Sequence, residues 1–338
     1  MIEIKEKFDI SKLNTFGVSA VARFFVEINS EDDIQDLFKN EIFKNNERLF
    51  LGGGSNILFT KNFDGIVILS SLKGIEIVKE DENFVEIRAM GGEMWNDLVI
   101  FSVDKGYWGI ENLTLIPGTV GASPIQNIGA YGTEVKDVIV TVEGYEINTG
   151  DKKVFTNQEC NFGYRDSVFK NSLKGRYFIS AITIRLFKKR KEGLEYKAIV
   201  RYLEENKVVV NSSKDISQAV ANIRKSKLPD PKIIGNAGSF FKNVFVSEEK
   251  FKELLLKYPE MPFFQEEDSF KIPSAWLIEQ CGFKGKREGN VGMHEKQALV
   301  LVNHGGASGE EIKSFAEKIQ KAVLLKFDLV IFPEVNLI

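Results

Sequence analysis

The spacing of apolar and polar residues predicts that the first third of the chain alternates short strands with helices. Ser30 predicts the capped start of a helix, whose Ile34, Leu37 and Phe38 fall on one face. A second helix is expected over residues 93–103. Apolar runs bounded by turn residues predict strands over 22–28, 48–51, 65–69 and 84–89.

The middle of the chain is predicted to be mostly β structure. Long strands are expected over 138–147 and 177–186, and the second alternates apolar and polar residues with a period of two. A helix is expected over 215–225. The sequence Leu228-Pro229-Asp230-Pro231 then predicts a linker, because two prolines exclude a helix and force an extended path.

The last third is predicted to be a second α+β unit. Ser308 and Glu311 form a capping box for a helix with an apolar stripe, which consists of Ile312, Phe315, Ile319 and Val323. The other expected elements are a helix capped by Ser247 that runs to residue 256, a helix over 273–280, and strands over 297–302 and 327–332.

Composition restricts the class of protein. The 338 residues are 43% hydrophobic and 28% charged, which is typical of a folded chain with two or three domains. A net charge of −3 creates no electrostatic attraction of the whole chain to nucleic acid or to a membrane surface. Two cysteines and two histidines, without metal spacing, argue against a metal site. We expect a cytoplasmic protein, because there is no signal peptide and no apolar run of membrane-spanning length, and we expect a monomer.

A glycine-rich stretch follows the strand predicted over 48–51. Gly52-Gly53-Gly54-Ser55-Asn56 has the position of a turn that binds phosphate, since glycine lets backbone N–H groups approach an anion. It matches neither the P-loop nor the G-x-G-x-x-G pattern, so neither a Walker ATPase nor a Rossmann dehydrogenase is indicated. Taken alone, the stretch is as consistent with a tight structural turn as with a cofactor site.

A second glycine-rich stretch runs over residues 116–132. It contains four glycines and two prolines in seventeen residues and almost no charge, which suits neither a helix nor a solvated loop. Such a segment can pack its backbone against a large, partly apolar ligand. A purely structural Ω-loop is the alternative, although loops of this length usually carry function.

Seven short motifs occur in a fixed order along the chain. They are Asn14-Thr15-Phe16-Gly17, the stretches 52–56 and 116–132, Gly163-Tyr164-Arg165-Asp166-Ser167, the segment 235–243, Trp276-Leu277-Ile278-Glu279-Gln280 and Pro333-Glu334-Val335. In this order they resemble the motifs of the UDP-N-acetylenolpyruvoylglucosamine reductase family over essentially the whole chain. Each motif alone is a weak signal, but seven in register leave little room for coincidence.

The resemblance implies an α+β chain with a vanillyl-alcohol-oxidase-type (PCMH) FAD-binding fold. Two α+β subdomains at 1–70 and 71–228 would be followed by a C-terminal α+β substrate-binding domain at 229–330, with residues 331–338 returning near the first subdomain. FAD would be bound non-covalently, since neither glycine-rich stretch contains His or Cys. The residues implied to contact FAD are Gly52, Gly53, Gly54, Ser55, Asn56, Pro117, Gly118, Gly121, Ala122, Ser123, Gln126, Asn127, Gly129, Ala130 and Tyr131.

The resemblance also implies a reaction, the reduction of UDP-N-acetylglucosamine enolpyruvate to UDP-N-acetylmuramate with NADPH, in peptidoglycan synthesis. Arg165 and Glu334 resemble the pair that stabilises the charged intermediate, and Ser239 resembles the proton donor. Glu334 can help only while protonated, so we expect burial and nearby negative charge to raise its pKa. Taken singly, simpler interpretations exist: an ion pair of Arg165 with Asp166, a turn cap at Ser239 and a surface residue at Glu334.

Four residues match substrate-contacting positions of the family. Tyr196, in Leu194-Glu195-Tyr196-Lys197, matches the tyrosine of a loop that folds over the UDP part. The other three are Lys232, Asn243 and Gln297. The chain departs from the family pattern at two positions, Val244 and Asn336, where we expect an effect on substrate affinity alone.

Two other functions compete with this interpretation. A flavin-dependent alcohol or sugar oxidase of the same fold is disfavoured by the missing covalent flavin anchor and by Ser239, which hydride abstraction does not need. A nucleotide-binding protein that has lost catalysis is disfavoured because Arg165, Ser239 and Glu334 are all present.

Overall fold

The computed structural model describes residues 2–190, 196–266 and 268–338, and their contacts group them into two units. The first unit comprises the described residues of 1–8, 22–53 and 64–226, and the second comprises those of 9–21, 54–63 and 227–338. These two units are defined by contacts between residues and not by function. The predicted division into two FAD-binding subdomains and one substrate-binding domain therefore stays a prediction.

The described elements follow one another along the chain in a mixed α and β order. The strands are β1 (Lys5–Asp9), β2 (Val21–Ile28), β3 (Glu47–Leu51), β4 (Ile57–Leu58), β5 (Phe63–Ser70), β6 (Ile75–Glu80), β7 (Phe84–Met90), β8 (Gly129–Ala130), β9 (Thr133–Glu134), β10 (Ile139–Glu146), β11 (Lys152–Thr156), β12 (Tyr177–Phe187), β13 (Gly235–Ser239), β14 (Val244–Val246), β15 (Phe264–Glu266), β16 (Ser269–Ile272), β17 (Arg287–Glu288), β18 (Val291–Met293), β19 (Val300–Asn303) and β20 (Asn336–Leu337). The helices are α1 (Glu31–Lys39), α2 (Glu41–Asn45), α3 (Trp95–Asp104), α4 (Lys197–Glu205), α5 (Ser213–Lys227), α6 (Glu248–Lys257), α7 (Ser274–Gln280) and α8 (Gly309–Phe327).

Two larger sheets belong to the first unit, a four-stranded sheet of order β1-β2-β5-β3 and a five-stranded sheet of order β11-β10-β12-β7-β6. The predicted cap of α1 at Ser30 is confirmed and is a capping box, because the Ser30 hydroxyl accepts from the Asp33 amide while the Asp33 carboxylate accepts from the Ser30 amide. Ile34, Leu37 and Phe38 of α1 are buried, as the stripe predicted. Local spacing and capping therefore determine this element.

Strand β12 is central in the five-stranded sheet and pairs with both β10 and β7. Its alternating sequence is typical of a strand with one solvated face, yet the polar residues Ser180 and Thr183 are buried. Phe178 and Ile182 of this strand pack into two different apolar clusters. The Ser180 hydroxyl donates to the Glu143 carbonyl at 3.4 Å, which compensates its burial.

A charged network crosses the same sheet. Arg88 donates to the two oxygens of the Glu143 carboxylate at 2.6 and 2.8 Å, and the ammonium of Lys152 lies 2.9 Å from Glu143 and 2.9 Å from Glu31. Glu143 is buried, with 8% of its surface exposed. The hydrogen bonds from Arg88 are the main reason that the pKa of Glu143 is lowered.

The second unit contains a sheet of order β13-β19-β18-β17, a sheet of order β14-β16-β15 and the parallel pair β20-β4. Helix α8 confirms the predicted capping box of Ser308 and Glu311 and buries the predicted stripe. The parallel pair joins Asn336 to Ile57 and Leu337 to Leu58, so the C-terminal strand meets a segment from the first 70 residues.

Two predicted strands of the second unit are corrected. The strand expected over 297–302 begins only at Val300, because the amide of Val300 donates to the carbonyl of Gln297 and closes a turn there. The strand expected over 327–332 does not form. Phe327 is the last residue of α8, and Asp328 takes a left-handed conformation that ends the helix, so an irregular segment precedes β20.

The predicted linker is a turn that follows the end of α5 at Lys227. The amides of Ile233 and Ile234 both donate to the Asp230 carbonyl, so the chain turns after the prolines instead of staying extended. Across the residues that the structure describes, no helix is long and apolar enough to cross a membrane. In the same residues, no group of three or more His, Cys, Asp and Glu side chains is arranged to hold a metal ion.

Candidate active site

Ser239 and Glu334 lie on two segments of the second unit that pair with each other. The amide of Glu334 donates to the carbonyl of Phe240 at 2.7 Å, and Phe241 forms an antiparallel bridge with Pro333. Ser239 ends β13 and is exposed, and no other described residue hydrogen-bonds to its hydroxyl. The pairing places an available hydroxyl next to the residue whose backbone bonds to Glu334.

The strand that carries Ser239 packs closely against the backbone around residue 15. The amide of Asn236 donates to the Thr15 carbonyl at 3.0 Å. A Cβ atom added at Gly235 would lie 2.2 Å from the Phe16 carbonyl oxygen, which no side chain can tolerate. Two of the sequence motifs therefore fit together here, and their contact fixes the strand that ends at Ser239.

Arg165 belongs to the first unit and has a left-handed backbone with a φ of 53°. Its turn is closed by Gly163 and Asp166, each of which donates its amide to the carbonyl of the other, at 3.0 and 3.3 Å. The guanidinium donates to the carbonyls of Gly129 at 2.6 Å and Asn127 at 3.4 Å. A left-handed non-glycine residue is uncommon and costs free energy, and such residues concentrate at functional sites.

Gly52 and Gly53 face the backbone of the second glycine-rich stretch within the first unit. A Cβ atom at Gly52 would lie 2.4 Å from Oγ1 of Thr119, and one at Gly53 would lie 3.0 Å from Cα of Gly118. The amides of these four residues donate no hydrogen bond to any part of the chain that the structure describes. Clustered backbone N–H groups bind anions, so the arrangement fits the diphosphate of FAD.

The rest of the glycine turn, 54–56, lies in the second unit. Gly54 has a φ of 61°, and a Cβ atom there would lie 1.9 Å from the Leu13 carbonyl oxygen, so close packing alone requires glycine. The side-chain amide of Asn56 donates to the Glu334 carbonyl at 3.4 Å, and the Asn56 carbonyl accepts from the Asn336 side chain at 2.9 Å. The FAD contacts of Gly54, Ser55 and Asn56 stay predictions.

The long loop over 116–132 is held by its own polar groups. The Ser123 hydroxyl donates to the Val120 carbonyl at 2.7 Å, and the side-chain amide of buried Asn127 donates to the Gly163 carbonyl at 2.9 Å. A Cβ atom at Gly121 would lie 3.1 Å from the backbone of Gly91. The FAD contacts of this loop stay predictions, including those of Pro117, Ala122, Gln126 and Ala130.

Tyr196 lies at the start of α4 and packs edge-on against Tyr131, with ring centroids 5.5 Å apart. Residues 194 and 195 of the predicted UDP-covering loop lie outside the described residues. A cavity of about 1100 Å³ in the first unit has Tyr196, Trp108 and Leu203 in its wall. Arg165 is not among the described residues that line it.

Sequence reasoning missed Arg224, which lies on α5. Burial lowers the pKa of its guanidinium, whereas the neighbouring Tyr131 phenol acts in the opposite direction. Burial likewise raises the pKa of Tyr131. No described residue forms a hydrogen bond or ion pair with Arg224. A desolvated guanidinium is costly unless an anion compensates it, so Arg224 is a candidate anion-binding residue.

The three remaining substrate-contact candidates belong to the second unit. Asn243 caps α7, since its side-chain oxygen accepts from the Ser274 amide at 3.2 Å. Gln297 lies in the turn before β19, not within a strand. Lys232 is exposed in the turn that follows the prolines. Their substrate contacts stay predictions.

Comparison with known proteins identifies what these two units are similar to. Residues 22–156 match the model of the FAD binding domain, and residues 230–338 match the model of the UDP-N-acetylenolpyruvoylglucosamine reductase C-terminal domain. The UDP-N-acetylenolpyruvoylglucosamine reductase of Flavobacterium johnsoniae is 46% identical over the whole of both chains. The enzyme of that name from Bdellovibrio bacteriovorus is 46% identical over 98% of this chain and 99% of its own. The chain belongs to the UDP-N-acetylenolpyruvoylglucosamine reductase family.

The chain is accordingly a flavin-dependent oxidoreductase with FAD as its cofactor. The crystal structure of UDP-N-acetylenolpyruvylglucosamine reductase from Thermus caldophilus is similar in fold, with a TM-score of 0.67 at 20% identity, and the match covers 100% of this chain and 98% of that one. The predicted fold class, a vanillyl-alcohol-oxidase-type FAD-binding fold followed by a C-terminal α+β part, is confirmed.

Proposed function

We propose that this chain reduces UDP-N-acetylglucosamine enolpyruvate to UDP-N-acetylmuramate in peptidoglycan synthesis, with electrons that pass from NADPH through FAD. Membership in the reductase family supports the substrate class. The observation that carries the proposal is the pairing of the Ser239 and Glu334 segments. This reaction needs a proton donor beside a group that accommodates developing negative charge, and the pairing supplies both residue types.

Bound FAD would supply the hydride chemistry between NADPH and the terminal carbon of the enolpyruvyl double bond, and the turns at Gly52 and Gly118 would hold its diphosphate. Negative charge then develops on the substrate carboxylate as an enediolate-like species. Arg165 stabilises that charge, because a planar guanidinium binds a carboxylate in bidentate fashion and stays charged at any physiological pH. The hydrogen bond from its guanidinium to the Gly129 carbonyl restrains the side chain.

Glu334 contributes only in its protonated form, in which it donates a hydrogen bond to the developing charge. An ionised carboxylate beside that charge would repel it, so the proposal requires a raised pKa for Glu334 in the substrate complex. Ser239 donates its hydroxyl proton to the other carbon of the former double bond. Serine is a weak acid, but the carbanionic carbon is a far stronger base than the alkoxide that remains, and solvent water returns the proton to that alkoxide.

The nucleotide diphosphate needs cationic partners. Arg224 has a desolvated guanidinium without a described protein acceptor, and the neighbouring Tyr131 packs edge-on against Tyr196. We assign Arg224 and Tyr196 to the nucleotide, together with Lys232, Asn243 and Gln297. NADPH and a nucleotide-linked sugar are cytoplasmic metabolites, so we place the reaction in the cytoplasm, with a monomeric enzyme.

Anaerobic titration of the purified flavoprotein tests the proposal. NADPH should bleach the visible flavin absorbance, and the enolpyruvyl nucleotide should restore it with one equivalent of UDP-N-acetylmuramate formed. A flavin that stays oxidised with NADPH contradicts the proposal. If the nucleotide does not reoxidise the reduced flavin but dioxygen does so rapidly, with release of peroxide, the result would instead support an oxidase of the same fold.

A further inference from the structure

Glu134 lies beside the guanidinium of Arg165 in the first unit. Its Oε1 atom is 3.8 Å from Nη1 of Arg165, and the two side chains expose 22% and 19% of their surface. Charges that are mostly removed from water interact more strongly than exposed ones, so this ion pair restrains the arginine.

The Glu134 carboxylate is itself fixed in one orientation. Its Oε2 atom accepts from the Asn127 side-chain amide at 3.0 Å and lies 2.8 Å from the ammonium of Lys136. Asn127 is fully buried, and its side-chain oxygen accepts from the Lys136 amide at 3.1 Å. Because a buried amide anchors one carboxylate oxygen, the other oxygen has a defined direction toward Arg165.

Gly129 makes this approach possible. It pairs with Glu134 between β8 and β9, and a Cβ atom there would lie 2.9 Å from Cγ of Glu134 and 3.1 Å from Nη1 of Arg165. The carbonyl of Gly129 accepts from Nη2 of Arg165 at 2.6 Å. The guanidinium is thus restrained at two nitrogens, at Nη2 by the Gly129 carbonyl and at Nη1 by the Glu134 carboxylate together with the Asn127 carbonyl.

We infer that Glu134 is a positioning residue, which orients the Arg165 guanidinium so that it can meet the enolpyruvyl carboxylate in bidentate fashion. The inference rests on the proposed function, in which Arg165 binds that carboxylate. Without the Glu134 carboxylate, the guanidinium would lose the ion pair at Nη1, and its position beside the Gly129 carbonyl would be less restrained. Small displacements of a binding group cost large factors in rate.

The variant Glu134→Gln tests this inference, because glutamine keeps the shape and an oxygen for Asn127 but removes the charge. We compare equilibrium binding of the enolpyruvyl nucleotide with binding of UDP-N-acetylglucosamine, which lacks the carboxylate, to the oxidised holoenzyme. Affinity for the first ligand should fall roughly tenfold and affinity for the second should stay within twofold. Flavin reoxidation by the enolpyruvyl nucleotide should slow roughly tenfold or more, with flavin reduction by NADPH unchanged.

Glu86→Gln is the matched control, because it removes a carboxylate that accepts from Arg185 at 2.6 Å elsewhere in the first unit. It should leave both affinities unchanged. If Glu134→Gln weakens the binding of both nucleotides equally, or of neither, the positioning role is overturned.

If Glu134→Gln does not fold, Glu134→Asp is the second variant. Aspartate has a shorter reach to Arg165 but keeps a negative charge for Lys136, and the same selective loss of affinity is expected. A wild-type flavin that the enolpyruvyl nucleotide does not reoxidise contradicts the proposed function instead.

Discussion

Arg224 has the Tyr131 phenol as its described electrostatic partner, not a carboxylate. Replacing Arg224 with Met should therefore weaken nucleotide binding roughly tenfold or more, because hydrogen bonds to charged groups contribute about 1.5–3 kcal/mol each. The melting temperature should not fall, since removal of a desolvated charge relieves a cost of folding. Calorimetric titration with the enolpyruvyl nucleotide and thermal unfolding measure the two effects.

Arg201→Met is the control for this variant. Arg201 lies on α4, largely exposed, and pairs with Glu205 at 2.7 Å. Its loss should leave nucleotide binding unchanged. If the Arg224→Met enzyme bound the enolpyruvyl nucleotide with wild-type affinity, Arg224 would not belong to the nucleotide site.

Ser239→Ala should separate the two half-reactions. Loss of the proton donor should slow flavin reoxidation by the enolpyruvyl nucleotide by roughly 10²–10⁴-fold, whereas flavin reduction by NADPH should stay within about twofold. Stopped-flow absorbance of the flavin measures both steps. Ser269→Ala, on β16 of the same unit, should change neither rate, and equal slowing of both steps in Ser239→Ala would contradict the proton-donor role.

Gly52→Ala should lower the affinity for FAD. The new methyl group would clash with Oγ1 of Thr119, 2.4 Å away, and separate two turns whose amides fit the diphosphate. Thr119→Ala removes the clashing atom, so the double variant should regain part of the lost affinity, and Thr119→Ala alone should bind FAD normally. Flavin content after dialysis measures the effect. A double variant as poor as Gly52→Ala would show that the clash is not the cause.

Glu143→Gln should destabilise the protein in a pH-dependent way. The folded-state pKa of Glu143 is lowered, so its ionised form stabilises the fold above the unfolded value of about 4.3, and this stabilisation is lost as the pH falls through the folded-state pKa. The free energy of unfolding should drop by about 2 kcal/mol at pH 7, and the difference should shrink toward pH 3.

Urea unfolding at the two pH values measures this difference. Glu82→Gln, which removes an exposed carboxylate before β7, should have little effect at either pH. A Glu143→Gln deficit that is equally large at both pH values would assign the effect to packing and not to ionisation.

Elements with local signals could be predicted from the sequence. Ser30 and Ser308 cap their helices as the sequence indicated, because the capping hydrogen bonds join residues three apart. The strand expected over 327–332 was wrong, because the apolar run does not reveal that Asp328 ends α8 in a left-handed conformation. The edge strand β1 was missed, since its residues are mostly charged and exposed.

In the candidate site too, residues with a local sequence signal could be predicted and residues defined by tertiary packing could not. Arg165, Ser239 and Glu334 could be selected because short motifs carry them. Arg224 follows the apolar stripe of α5 four residues after buried Val220, so a charge on the buried face was the available signal. Its burial and its proximity to the Tyr131 phenol are tertiary features that join residues distant in sequence, and no local pattern contains that information.

The second unit is built from three separated stretches of chain, and this has a consequence for its biosynthesis. Strand β4 pairs with β20, and both the amide and the hydroxyl of Thr60 donate to the Ile338 carbonyl at 2.7 Å. Residues 54–63 leave the ribosome long before those partners are translated. In the nascent polypeptide this segment must stay unpaired until residues 336–338 arrive, which exposes an apolar strand to chaperones or to aggregation.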